Sequence, residues 1–377
     1  MLGKENKGVS RPMSLQLENV TLKVRGETYI DEANLQLDSG SFNVLLGHTL
    51  AGKTTLMRLM AGLDTPSRGR VWLGGRDMTD VPVRQRNVSM VYQQFINYPT
   101  LTVFDNIASP LKQAKVARAE IQRRVEETAH MLGIDHLLGR YPQALSGGQQ
   151  QRTAMARALV KDADLVLFDE PLVNLDYKLR ESLRVEMRKL FASRDTVAVY
   201  ATTEPAEALA LGGTTVLLKE GRIVQSGPSG EVYRQPCNME AASLFGEPPI
   251  NLLAAEIAGG ECRIGRQRLP LPAAWQHLEE GHYRLGVRPH HVSLAPLATG
   301  ETLCLPVQVR VAEIGGSETF LHMTHDEIDL VAHLGGIHEL AVDQALEIHL
   351  PCAEMFVFEP DGELLLSPAF PATAACA

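Results

Sequence analysis

The chain has 377 residues, with 36 lysines and arginines against 45 aspartates and glutamates and a formal net charge of -9. That balance argues against a primary nucleic-acid binder, whose footprint is basic, and the length suggests about two or three domains. Hydrophobic residues make up 45% of the chain, yet no run approaches the ~20 apolar residues that span a bilayer, so a soluble subunit is expected. Cys237, Cys262, Cys304, Cys352 and Cys376 are scattered and without C-x-x-C spacing. Such usage fits a reducing cytoplasm better than a disulfide framework or zinc site.

In chain order, residues 1–13 are polar with no apolar segment, which is unlike a secretory signal and reads as a disordered extension. From Leu15 to about Ala208, apolar strands alternate with helical segments, the pattern of an α/β nucleotide-binding domain. Phe42-Asn43-Val44-Leu45-Leu46 reads as a buried strand that runs directly into Gly47-His48-Thr49-Leu50-Ala51-Gly52-Lys53-Thr54-Thr55. This string fits the phosphate-loop pattern G-x-x-x-x-G-K-[ST]. The glycines free backbone N–H groups to face phosphates at a helix start, Lys53 reaches the β- and γ-phosphates, and the Thr54 hydroxyl is placed for Mg²⁺.

Lys112 to Leu132 reads as a helical insert, with Ile121, Val125, Ala129 and Leu132 on one face and Arg123, Arg124, Glu126 and Glu127 outward. Leu145-Ser146-Gly147-Gly148-Gln149 opens another helix, through Leu159, whose N-terminus suits an anion. Leu165 to Phe168 is a second buried strand and ends in Asp169-Glu170, where open α/β sheets bind ligands. There Asp169 would hold Mg²⁺ and Glu170 would act as general base toward water; taken alone, an acidic turn would explain the pair as well. After Phe245 to Pro249 the pattern shifts to period two, as in Val307, Val309 and Val311, and Met355 to Leu366 reads as a hairpin around Pro360-Asp361-Gly362. His322-Met323-Thr324-His325-Asp326 invites a metal reading, but an exposed turn between two short strands is the better account.

Phosphate loop, LSGGQ string and Asp169-Glu170 together resemble the ATPase subunit of a bacterial ABC importer, in the group that energises maltose, glycerol-phosphate and glycerol uptake. The resemblance runs from Leu15 to about Pro368. It implies an ABC-type ATPase domain over residues 14–245 with a helical subdomain over about 96–150, then a small all-β, OB-like regulatory domain over 246–377. Val91 to Phe95, followed by Tyr98-Pro99, matches the Q-loop, so Gln93 would touch Mg²⁺ and the attacking water. Asn174-Leu175-Asp176 matches the D-loop, with Asp176 at the nucleotide across a dimer. Phe245-Gly246 with Pro249 and Asn251, and Leu285 to His291, resemble strings of the regulatory domain.

The family further implies ATP and Mg²⁺ as ligands and a head-to-tail pair of ATPase subunits in which Ser146, Gly147, Gly148 and Gln149 close on the partner's γ-phosphate. It also implies permease subunits seated in a groove built from Gln94 to Asn106, with Phe95, Tyr98, Leu101 and Val103, and, indirectly, a periplasmic solute-binding protein. The location would be the cytoplasmic face of the inner membrane. Three departures stand out. Thr203 takes the place of the family's switch histidine; it is shorter and cannot titrate near neutral pH, though it could act through a water. Arg25, or the less well aligned Tyr29, stands in for the ring that stacks on adenine, and His48 replaces a common proline or serine. The variant strings are most similar to one of the two ATPases of glycerol importers, so a catalytically weak subunit paired with an active partner is an alternative. A soluble, non-transport ABC protein is another, disfavoured by the single cassette and the lack of coiled-coil insertions.

Overall fold

The computed structural model describes residues 14–40, 42–173, 175, 177–296 and 300–368. The chain divides into two compact units after Ser229. In the first, β1 (Ser14–Val24), β2 (Glu27–Asp38), β4 (Arg68–Leu73) and β5 (Arg76–Asp77) form an antiparallel sheet in the order β2-β1-β4-β5. A second sheet carries the nucleotide-binding pattern. It is built from β3 (Phe42–Leu46), β6 (Val88–Val91), β7 (Leu165–Asp169), β8 (Val197–Thr202), β9 (Thr214–Lys219) and β10 (Arg222–Pro228), in the order β10-β9-β3-β8-β7-β6. All neighbours are parallel except the edge pair β10 and β9.

Strands β3, β7 and β8 are buried at every position, which is why they read as continuous apolar runs rather than alternating ones. Helix α1 (Lys53–Ala61) lays Leu56, Met57, Leu59 and Met60 into the core shared with Leu45, Leu167 and Val199. Each such side chain contributes about 1.5–3 kcal/mol relative to exposure. The helix stops at Gly62, whose φ of 75° makes the left-handed C-cap that glycine adopts without a Cβ penalty.

The helical insert is two helices rather than one: α2 (Val103–Gln113) and α3 (Arg118–Met131). Lys115 takes a left-handed φ of 56°, and the Val116 amide turns back to the Leu111 carbonyl, so Lys112 belongs to the earlier helix. The face of α3 is as expected: Ile121, Val125 and Ala129 are buried, and Arg123 pairs with Glu120 and Glu127 on the outside. Helix α4 (Gly147–Leu159) precedes β7, α5 (Tyr177–Ala192) follows it, and α6 (Pro205–Leu211) follows β8.

The second unit begins at Gly230, inside α7 (Ser229–Arg234) and ahead of the composition change after Phe245. The segment that follows is tied to the all-β part. α8 (Met239–Leu244) puts Ala242 among Ile250, Phe356 and Phe358, the Met239 amide bonds Gly362, and Arg288 donates to the Phe245 and Tyr233 carbonyls.

One antiparallel sheet joins β11 (Asn251–Ala258), β12 (Glu261–Ile264), β13 (Gln267–Pro270), β14 (Gly281–Val287), β19 (Met355–Phe358) and β20 (Leu364–Leu366). The other joins β15 (Thr302–Ile314), β16 (Glu318–His325), β17 (Ile328–Gly335) and β18 (Ala345–Pro351), and both sheets supply one apolar core. The 355–366 hairpin forms. The expected alternation in β15 stops at Val309, because a register shift against β16 between Val309 and Val311 leaves Val311 exposed. His322 to His325 is not an exposed turn either. These residues belong to β16, and His325 is buried with Nδ1 2.7 Å from the Pro306 carbonyl. Among the described residues no His, Cys, Asp or Glu group is arranged to hold a metal.

Candidate active site

Strand register brings the functional loops to one edge. Leu46 is paired with Thr202 and Asp169 with Ala201, so Gly47, Glu170 and Thr203 are the next residues on three adjacent parallel strands. In sequence these strands run β3, β7, β8; in space they run β3, β8, β7.

The phosphate loop requires its glycines. A Cβ on Gly47 would lie 2.2 Å from the Leu218 carbonyl oxygen, and Gly52 has a φ of 100°. The Ala51 carbonyl accepts from the Gly221 amide, which pins the loop to the turn after β9. Lys53 is buried at 5% exposure, and its Nζ donates to the carbonyls of Gly47 at 2.7 Å and His48 at 3.1 Å. It also lies 3.5 Å from Glu170 Oε1. Burial pulls the Lys53 ammonium below its ordinary range, against the pull of Glu170. The His48 side chain is exposed, so only its backbone enters this arrangement.

Thr54 Oγ1 donates to Asp169 Oδ2 at 2.8 Å. Burial raises the Asp169 carboxyl, and the Thr54 bond offsets this in part. Gln93, beyond the end of β6, donates from Nε2 to Glu170 Oε2 at 3.1 Å. Glu170 itself adopts a left-handed φ of 47° while its amide bonds the Ala201 carbonyl at 3.1 Å. A non-glycine residue in that region costs about 1–3 kcal/mol and is held only where its surroundings over-determine it.

These groups face a cavity of about 510 Å³ lined by Thr28, Tyr29, Thr49 to Thr55, Gln93, Glu170, Glu220 and Gly221. Lys53, Thr54, Gln93 and Glu170 therefore converge on one cavity. Arg25 is not part of the lining: it sits in the Arg25-Gly26 turn with φ 52°, and Tyr29, 46% exposed, takes the position at the cavity. Thr203 is half-buried on the turn after β8 and outside the lining. Ser146, Gly147, Gly148 and Gln149 also stand apart from it. They form a capping box, in which the Ser146 hydroxyl accepts from the Gln149 amide and the Gln149 side chain accepts from the Ser146 amide. Asn174 and Asp176 lie outside the described residues.

Sequence reasoning missed a polar network behind Thr203. Thr202 Oγ1 donates to Glu207 Oε2 at 2.6 Å, Tyr200 OH donates to the same oxygen at 3.0 Å, and Arg180 holds both oxygens of Glu204. A carboxylate five residues after a strand-ending threonine was the available sign, and it is weak.

Part of the segment from Gln94 to Asn106 borders two cavities. Tyr98 and Leu101 border a cavity of about 420 Å³ and Phe95 and Tyr98 a smaller one of about 180 Å³, with Arg157 in both and 4.9 Å over the Tyr98 ring. Val103 and Asn106 are fully buried. Asn106 instead fixes the segment, donating to the carbonyls of Tyr98, Leu101 and Thr102 and accepting from the Tyr98 amide.

A phosphate loop facing a strand-end Asp-Glu pair, with a serine-glycine helix cap set apart from both, defines the class as a cassette ATPase. The chain belongs to the ABC transporter family, whose model matches residues 30–173. It is 36% identical to the sn-glycerol-3-phosphate import ATP-binding protein UgpC of Pectobacterium atrosepticum, over 93% of this chain and 98% of that protein. It is 34% identical to the oligosaccharides import ATP-binding protein MsmX of Bacillus subtilis, over 90% of this chain and 95% of that one. A dimeric, post-hydrolysis ATP-binding cassette bound to ADP and Pi superposes with a TM-score of 0.53 at 28% identity, covering 57% of this chain and 98% of the cassette.

Proposed function

We propose that this chain is the ATP-hydrolysing subunit of an ABC importer for a sugar, glycerol-phosphate or related polyol. The observation that carries the reading is the convergence of Lys53, Gln93 and Glu170 on one cavity beside the Thr54–Asp169 bond. The Lys53 ammonium and loop amides would bind the ATP phosphates. A hydroxyl and a carboxylate oxygen at bonding distance are the hard donor set that suits Mg²⁺, so Thr54 and Asp169 would hold it, with Gln93 beside them. The ion would supply charge neutralisation on the phosphate oxygens. Glu170 takes a proton from the attacking water, whose oxygen bonds the γ-phosphorus as the bond to the β-phosphate oxygen breaks, and Gln93 keeps the carboxylate oriented. Tyr29 offers its ring to adenine.

On this reading Ser146, Gly147 and Gly148 serve the ATP of a second ATPase subunit packed head to tail. Membrane permease subunits seat at Tyr98 and Leu101, a periplasmic binding protein delivers the solute, and the subunit works peripherally on the cytoplasmic face. No described helix is long and apolar enough to cross a membrane. Reconstitution with its membrane permease subunits and binding protein tests this: ATP turnover should rise with loaded binding protein, and turnover indifferent to the permeases would refute import coupling.

Thr203 favours a second reading, in which the site on this chain's Lys53 is the slower of two in a mixed dimer. Threonine offers a hydroxyl where a titratable ring would reach the γ-phosphate.

A further inference from the structure

We propose that Arg180 is a positioning residue for hydrolysis, joining the segment after Glu170 to the turn that carries Thr203. The inference rests on reading this edge of the sheet as the ATP-hydrolysing site. Arg180 lies near the start of α5, and its guanidinium reaches two loops at once. Nη1 donates to Glu204 Oε1 at 2.9 Å and Oε2 at 3.0 Å, and Nη2 meets the Val173 carbonyl at 3.5 Å. Val173 follows Glu170 by three residues, and Glu204 is the neighbour of Thr203.

The turn is anchored from its other side as well. The Glu204 amide donates to Thr202 Oγ1 at 3.0 Å, and that hydroxyl donates to the buried Glu207 carboxylate, which also accepts from Tyr200 OH. Thr203 thus hangs between a buried anchor at residue 202 and an ion pair at residue 204. The anchor alone fixes the strand end; the planar guanidinium fork sets the turn relative to the Glu170 segment. The pair is partly buried, with the Arg180 side chain 20% and the Glu204 side chain 39% exposed. A lone ion pair at a partly wet site contributes little to stability, whereas displacement of a reacting group by about 1 Å can cost up to 10²-fold in rate. Its effect should therefore appear in turnover.

The test uses the full chain assembled with its permeases, comparing wild type with Arg180→Gln, Arg180→Lys, Glu204→Gln and the exchanged pair Arg180→Glu with Glu204→Arg. ATP affinity and thermal midpoint should stay near wild type while kcat falls about tenfold in Arg180→Gln. Arg180→Lys should retain an intermediate rate, because a point charge keeps the pair but loses the fork. Glu204→Gln added to Arg180→Gln should cost little more, and the exchanged pair should recover part of the rate. Wild-type kcat in Arg180→Gln, a kcat loss that follows a falling thermal midpoint, or independent additive losses would overturn the proposal. A wild-type assembly that binds no ATP, or one unaffected by Lys53→Ala, would refute the hydrolytic reading itself, and this inference with it.

Discussion

The Lys53 ammonium and the Glu170 carboxylate lie 3.5 Å apart, the first at the start of α1 and the second just beyond β7. They serve different steps, and substitution should separate them. Glu170→Gln keeps the shape but cannot accept a proton, so ATP binding should persist while kcat falls about 10²- to 10⁴-fold. Lys53→Ala removes the phosphate-facing cation and should weaken binding itself. Equilibrium nucleotide binding and single-turnover hydrolysis distinguish the two; wild-type turnover in Glu170→Gln would exclude the general-base role.

Gly47→Ala tests the loop's backbone rather than its side chains. The added Cβ meets the Leu218 carbonyl at 2.2 Å, and relieving such overpacking costs about 1–3 kcal/mol. Both the unfolding midpoint and ATP affinity should drop. Unchanged affinity would show that the loop tolerates a shift away from β9.

At the groove, Tyr98→Asp should abolish co-purification with permease subunits and transport while leaving nucleotide affinity near wild type, since Tyr98 is not part of the Lys53 cavity. Collapse of both together would mark a folding defect and remove support for the groove assignment.

Glu207 gives a pH dependence of defined sign. Burial raises its carboxyl above the ordinary 4.5, against the bonds from Thr202 and Tyr200. Just above pH 4.5 the folded chain therefore holds a proton that the unfolded chain releases. This contribution to stability is full below 4.5 and declines as pH rises toward the folded value. Thermal midpoints measured upward from pH 4.5 should fall less steeply in Glu207→Gln than in wild type; parallel curves would contradict this.

For an unequal pair, Ser146→Arg should be more damaging than Glu170→Gln, because it disables the partner's faster site. Thr203→His should raise turnover at the slower one. A homodimer transporting at full rate, with the two losses equal, would leave Thr203 as a tolerated substitute.

The phosphate loop, the LSGGQ helix start and the Asp169-Glu170 strand end were legible in sequence because each is local: a glycine, a cap or a buried strand sets its own few residues. The lone period-two reading of β15 held only as far as Val309, where pairing with β16 shifts. Tertiary structure decided what depends on neighbours distant in the chain. Strand order β3-β8-β7 put Lys53, Glu170 and Thr203 on one edge, and the turn geometry at Arg25 handed the cavity wall to Tyr29. Packing buried Val103 and Asn106 and assembled Arg180, Glu204 and Glu207 around the Thr203 turn. Local propensity carries no information about such contacts, because they form only once β8 lies between strands that precede it in sequence.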